Sequence, residues 1–244
     1  MRSLSTLLLL TLAGIGAAHA GTDAKALEQT MSTLFPDRPA PTITPAPMPG
    51  VSEVTFGTEV FYVSNDGRFL LGGPLIAVAT RENLTDIRKA VARRSVLEDA
   101  TDVQPYRYPA AVPKHRLTIV TDIDCPYCRR LHNDLDDYRA AGLDVSYVML
   151  PRSGKGSPSY RKAVAAACAD DPEAAITEAM NGADLAEATT DCEHPIDAHL
   201  ALARRLGASS TPTLILEDGR MLLGARGVGE VLAAIGPMAG DGDD

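Results

Sequence analysis

Cys125-Pro126-Tyr127-Cys128 is the segment of this chain best equipped for chemistry. Two cysteines at this spacing lie about one helical turn apart, close enough for one sulfur to attack a disulfide and the other to resolve the product. Residues 117–121 read as a buried strand running directly into the pair. From Cys128 an apolar face continues through Leu131, Leu135 and Tyr138 to a stop at Gly142, which reads as a helix. A strand ending at Asp124 and a helix starting at Pro126 place Cys125 at a helix N-terminus, where unpaired N–H groups and the helix dipole favour a negative sulfur. Pro126 suits the first turn because it has no N–H to leave unpaired. Cys125 is therefore the expected nucleophile and Cys128 the shielded resolving thiol. Asp124 opposes this by setting a negative charge beside the sulfur.

Magnitudes indicate what such an arrangement is for. A thiol of pKa ~8.5 is about 3% ionised at neutral pH, and lowering it to roughly 6 raises that to about 90%. Weaker nucleophilicity at lower basicity gives back roughly tenfold of the gain. The larger benefit is that Cys125 becomes a good leaving group, so mixed disulfides break readily. Two blander readings are a structural Cys125–Cys128 bridge and a zinc site using His132. The first closes a loop too small to constrain an unfolded chain much. The second lacks a fourth ligand at plausible spacing, so His132 reads as a surface or packing residue. The chemistry calls for no cofactor and no metal.

Thr211-Pro212, about 85 residues on, opens an apolar strand after Gly207. An X-Pro step is where a cis peptide is affordable. In a fold built around such a pair, a proline there would leave neighbouring polar groups free to bind an extended substrate. Thr211, Pro212, Pro126 and Tyr127 are the expected substrate-binding residues. Cys168 and Cys192 lie outside any close motif. A structural disulfide between them would contribute roughly 3–4 kcal/mol by the chain-entropy estimate, and two free thiols are the alternative.

The elements that must hold these residues can be read more coarsely. Residues 1–20 carry Arg2, an apolar stretch and a closing Ala18-His19-Ala20, the pattern of a cleaved secretory signal peptide. Their apolar core is too short for a membrane span. Export suits paired cysteines, and the four present divide evenly. The net charge of −9, with no basic stretch, argues against nucleic acid as a partner, and the acidic end at 240–244 reads as solvated. Residues 21–80 read as a small α+β domain: a helix over 23–34, an irregular proline-rich stretch over 36–49, and strands at 51–56, 59–63, 68–71 and 75–79, with a hairpin turn at Asn65-Asp66-Gly67. A helical linker and loop follow over 81–113. An α/β domain then spans 114–244, with strands at 145–150, 213–217 and 221–223 and helices near 159–169, 172–180, 196–206 and 229–235.

This order resembles the thioredoxin-like domain of the DsbC/DsbG family of periplasmic disulfide isomerases. The likeness is carried by Thr121-Asp122-Ile123-Asp124-Cys125-Pro126-Tyr127-Cys128-Arg129-Arg130-Leu131-His132, by Leu150-Pro151-Arg152, by Cys168 and Cys192, and by 61–70 and 207–213. The resemblance implies a periplasmic homodimer joined through a cystatin-like N-terminal domain, a helical linker, and an apolar cleft that holds misfolded or misoxidised secreted proteins. It also implies a DsbD-like inner-membrane reductant. Pro126-Tyr127 matches the DsbG side of the family, whereas Ile123 and Leu131-His132 look more like DsbC. The expected activity is disulfide isomerisation and reduction through Cys125, with chaperone-like binding. Rival readings are a DsbG-like sulfenic acid reductase, a holdase chaperone and a DsbA-like oxidant.

Overall fold

The computed structural model describes residues 23–185 and 191–236. The signal peptide read over 1–20 and the acidic end at 240–244 lie outside the described residues.

Helix α1 (Ala24–Leu34) begins where Asp23 Oδ1 accepts the Ala26 N–H at 3.1 Å, a cap worth about 1 kcal/mol. It buries Leu27 and Met31 against a four-stranded antiparallel sheet ordered β1 (Thr42–Pro45), β2 (Val51–Phe56), β3 (Glu59–Ser64), β4 (Leu70–Leu71). The reading of 36–49 as irregular throughout is corrected by β1, which pairs with β2 from Thr42↔Thr55 to Pro45↔Ser52. It is an edge strand, one of the few places where a sheet accepts proline. Val54, Phe56 and Val63 meet α1, and the Arg38 guanidinium lies over the rings of Phe35, Phe56 and Phe61. Glu53 and Tyr62, cross-strand partners, share the opposite face.

The strand expected at 75–79 shrinks to β5 (Ile76–Ala77) and pairs with β6 (Glu82–Asn83), apart from the main sheet. A turn closed by Arg81 N–H to Ala77 carbonyl at 2.7 Å, with Arg81 at φ +62°, folds the chain back too soon for a longer strand. Helix α2 (Leu84–Asp99) is capped by Asn83 and packs on the polar face of the four-stranded sheet. There Arg88 Nε donates to Glu53 at 2.7 Å, and the Tyr62 and Thr85 hydroxyls bond at 2.7 Å.

Next come β7 (Tyr106–Tyr108), β8 (His115–Thr121), α3 (Pro126–Asn133), α4 (Leu135–Ala140) and β9 (Leu143–Met149). The helices α5 (Pro158–Ala167), α6 (Pro172–Met180) and α7 (Ile196–Arg205) are followed by β10 (Thr213–Leu216), β11 (Met221–Leu223) and α8 (Val228–Ile235). The second sheet is ordered β11-β10-β8-β9-β7, with β8 and β9 parallel and the other pairs antiparallel. Residues 100–113 are thus more than the aperiodic loop expected of them: Tyr106 and Tyr108 face the core on either side of exposed Arg107, making an edge strand. The helix expected to run from the cysteines to Gly142 breaks at Asp134, whose N–H reaches the Leu131 carbonyl three residues back rather than one four residues back. Asn133 and Asp134 are weak helix formers, and the break still leaves Leu135 and Tyr138 buried.

The two sheets are tied through α2 and by one direct bond to the end of α7. Thr58 Oγ1 donates to the Arg205 carbonyl at 3.1 Å. Arg93 donates to the carbonyls of Leu206 at 3.2 Å and Gly219 at 3.4 Å. Gly219, at φ +85°, approaches so closely that a Cβ there would lie 1.9 Å from the Ala90 carbonyl oxygen. Among the described residues no helix is long and apolar enough to cross a membrane.

Candidate active site

Strand β8 is central in its sheet, between β10 and β9, and the chain leaving its end carries the thiols. Residues 122–124 make a tight turn in which the Cys125 N–H reaches the Asp122 carbonyl at 3.0 Å and the Asp124 N–H reaches Asp122 Oδ1 at 3.0 Å. Cys125 is the N-cap of α3, in extended conformation, and Pro126 opens the first turn. The apolar side of α3 then buries Cys128, Leu131 and His132.

The chain entering β10 forms the facing wall. The Thr211–Pro212 peptide is cis, and the Cys125 thiol donates to the Thr211 carbonyl at 3.4 Å. Both cysteines are free. Each has only 1% of its surface exposed, so Cys125 is more enclosed than its expected role as an accessible nucleophile suggests. Tyr127, by contrast, is exposed, with the Arg130 guanidinium 5.2 Å over its ring.

The two sulfurs differ in acidity. Burial pushes Cys125 up, but hydrogen bonding from Thr211, from the Cys128 thiol and from the N–H groups of Cys128 and Tyr127 outweighs it and leaves the thiol below its ordinary range. The Thr211 hydroxyl is buried without a partner of its own, a donor that an ionised Cys125 can take up. Cys128 lies deeper, and burial pushes it up to about 12.

Charged groups reach the turn from α5 and from the loop before it. Asp122 is buried and accepts from the Arg152 N–H at 3.1 Å, from Arg152 Nε at 3.2 Å and from the Ser159 hydroxyl. Asp124 Oδ1 is 2.7 Å from Lys162 Nζ and 3.4 Å from an Arg129 guanidinium nitrogen. None of these partners was assigned a role from spacing. Asp122, Asp124 and Arg129 stand beside the cysteines in sequence, but Ser159 and Lys162 come from a helix more than 30 residues away, and no local pattern points to them. Under the site, His132 Nδ1 lies 3.0 Å from the Tyr147 hydroxyl, and the Tyr147 ring packs 4.8 Å from that of Tyr108. His132 is thus a packing residue. Among the described residues no group of three or more metal-ligating side chains converges.

Cys168 ends α5 and Cys192 precedes α7; they are joined as a disulfide with their Cα atoms 5.8 Å apart. Grooves of about 240, 310 and 350 Å³ run along α2, away from both thiols.

Comparison with known proteins matches both halves of the chain. Residues 110–236 fit the family of the thioredoxin-like domain, and residues 16–86 fit that of the disulfide bond isomerase protein N-terminal domain. The thiol:disulfide interchange protein DsbC of Dickeya dadantii is 34% identical over 227 residues, covering 93% of this chain and 92% of that protein. The protein of the same name from Escherichia coli K12 is 31% identical over 217 residues, covering 89% of each. A crystal structure of a disulfide interchange protein from Neisseria gonorrhoeae is 25% identical, covers 53% of this chain and 94% of its own, and has a TM-score of 0.47.

Proposed function

The chain belongs to the DsbC family of thiol:disulfide interchange proteins, and from that premise we propose that it isomerises and reduces wrong disulfides of secreted proteins in the periplasm through the Cys125 thiolate. The observation that carries this reading is the asymmetry of the pair. The pKa of Cys125, at the N-cap of α3, is held below the ordinary thiol range, while that of Cys128, one turn deeper, is pushed up to about 12.

In this mechanism the Cys125 thiolate attacks one sulfur of a substrate disulfide, forms a mixed disulfide and expels the other sulfur as a thiolate. A different thiolate of the substrate then attacks the substrate sulfur of the mixed bond, which releases Cys125 unchanged and leaves the substrate re-paired, whereas attack by the expelled thiolate only restores the original disulfide. Alternatively Cys128 loses its proton and attacks Cys125, releasing a reduced substrate and a Cys125–Cys128 disulfide. The second route consumes two electrons per turn, which a DsbD-like membrane reductant restores. Thr211 and Pro212, against Cys125, with Pro126 and exposed Tyr127 at the rim, dock the substrate backbone.

The N-terminal sheet supports a homodimer. Its outer strand β4 has one free edge, and Phe69, Leu70 and Leu71 are exposed there, which suits pairing with a second copy. An apolar cleft between two copies would hold unfolded substrate, the chaperone-like part of the proposal.

The test is reactivation of scrambled, fully oxidised ribonuclease by catalytic amounts of the protein in mildly reducing buffer, beside Cys125→Ser. Recovery with the wild type and none with the variant is the expected result. Failure of both, with the thiols still reducing a protein sulfenic acid, would replace the isomerase with a sulfenic acid reductase.

A further inference from the structure

Asp124 immediately precedes the attacking thiol, and an uncompensated carboxylate there opposes ionisation of the sulfur. Two cations meet it. Lys162 Nζ, from α5, is 2.7 Å from Oδ1, and an Arg129 guanidinium nitrogen, from α3, is 3.4 Å from the same oxygen. Arg129 is itself fixed, because its Nε donates to the Ile123 carbonyl at 2.8 Å. All three side chains are only about a third exposed, so the arrangement is partly shielded from water. The same helix supplies Ser159 to the buried carboxylate of Asp122, so two residues one turn apart on α5 grip both acids of the turn that carries Cys125.

We propose that Lys162 is a positioning residue for thiol exchange: with Arg129 it cancels the charge of Asp124 and thereby keeps that carboxylate from returning Cys125 to its protonated, unreactive form. The inference rests on the reading of Cys125 as the attacking thiol. The other groups facing Cys125 are Cys128 from α3, Thr211 from the chain entering β10, and Arg152 from the loop before α5, whose charge acts on both sulfurs. Lys162 differs from Arg152 in its route. Arg152 is engaged by Asp122, whereas Lys162 acts through the acid adjacent to the nucleophile. Neither Asp124 nor Lys162 enters a bond-making step; the proton lost by Cys125 goes to solvent.

The experiment follows thiolate absorbance at 240 nm against pH in the reduced full-length mature protein, with iodoacetamide alkylation mapped by mass spectrometry to identify the thiol that titrates first. Lys162→Met should raise the Cys125 midpoint by about half a unit, less than the roughly 1–3 units of a directly paired charge because Lys162 acts through Asp124 and water reaches it, and should slow alkylation at neutral pH about threefold. Lys162→Arg should restore both. In an Asp124→Asn background, which itself removes the charge to be cancelled, Lys162→Met should shift the midpoint by less than half as much as in the wild type. An unchanged midpoint in Lys162→Met, or an equal shift with and without Asp124, would overturn the proposal. If Lys162→Met does not fold, Asp124→Asn alone decides: it must lower the Cys125 midpoint or leave it in place, and a rise would overturn the proposal. Alkylation falling first on Cys128 in the wild type would instead overturn the assignment of the nucleophile, a separate failure read in the same experiment.

Discussion

Gly219→Ala should cost far more than a surface turn substitution ordinarily does, because the turn between β10 and β11 is pressed against α2. An added Cβ would lie 1.9 Å from the Ala90 carbonyl oxygen and 2.9 Å from the Arg94 nitrogen, both backbone atoms that cannot swing aside. Reaching ordinary contact at 3.4 Å requires the turn and helix to part by about 1.5 Å. Separation of that size weakens the hydrogen bonds from Arg93 to the carbonyls of Leu206 and Gly219. Overpacking costs roughly 1–3 kcal/mol, and a hydrogen bond to a charged donor contributes about 1.5–3 kcal/mol, of which the low end applies to these long bonds from partly buried Arg93. Alanine at φ +85° adds about 1–2 kcal/mol, of which roughly 0.4–1 kcal/mol returns through the stiffer unfolded chain. The net loss is about 2.5–6 kcal/mol. Gly224→Ala isolates the contact: its φ of +79° imposes the same strain, but nothing lies within 4 Å of its Cβ position. Thermal unfolding followed by far-ultraviolet circular dichroism suits a chain without tryptophan. With the strain common to both, Gly219→Ala should melt about 5–18 °C below Gly224→Ala, at about 2–4 °C per kcal/mol for a chain of this size. Equal losses in the two variants would refute the close packing of α2 on the turn.

Two further outcomes follow from the buried polar groups. Tyr147→Phe removes the hydroxyl that satisfies His132 Nδ1 and should destabilise the chain by about 1–3 kcal/mol in urea titrations while leaving the thiols intact; a loss below 0.5 kcal/mol would contradict that pairing. Acid should weaken the fold before the carboxylates titrate. Burial lowers His132 and His199, and His199 is locked in its neutral form, accepting from the Met149 N–H and donating to the Gln104 carbonyl. The folded state therefore resists protons that the unfolded chain takes up. Stability is complete above about pH 6.5 and is lost as pH falls below it. A urea midpoint that stays flat from pH 7 to pH 5 would refute this.

Much of the site was readable from local spacing because its essential geometry is local. Cys125 and Cys128 stand a turn apart on a helix whose start is marked by Pro126 and whose buried side is marked by Leu131. The facing wall was legible too, since Thr211-Pro212 precedes an unmistakably apolar strand. What escaped notice depends on contacts between distant segments. Strand β7 has three residues, too few to display a period of two, and exists because β9 offers it an edge. Strand β1 was hidden by its proline, whose propensity the sheet edge overrides. Asp124 could be seen to oppose the thiolate, but Lys162, which answers it, arrives from α5, and helix packing alone brings the two together.

The enclosure of Cys125 has a consequence for selection among substrates. Exchange proceeds only when three sulfurs lie nearly in line, so a target must present the far end of its disulfide along the bond axis to an atom recessed between α3 and the Thr211 carbonyl. A bond held in a finished core cannot be tipped into that approach, whereas one on a loose loop can. The recess would thus act as a gate on shape, set before any difference in redox potential is felt. It would spare completed proteins and admit those still searching for their pairing.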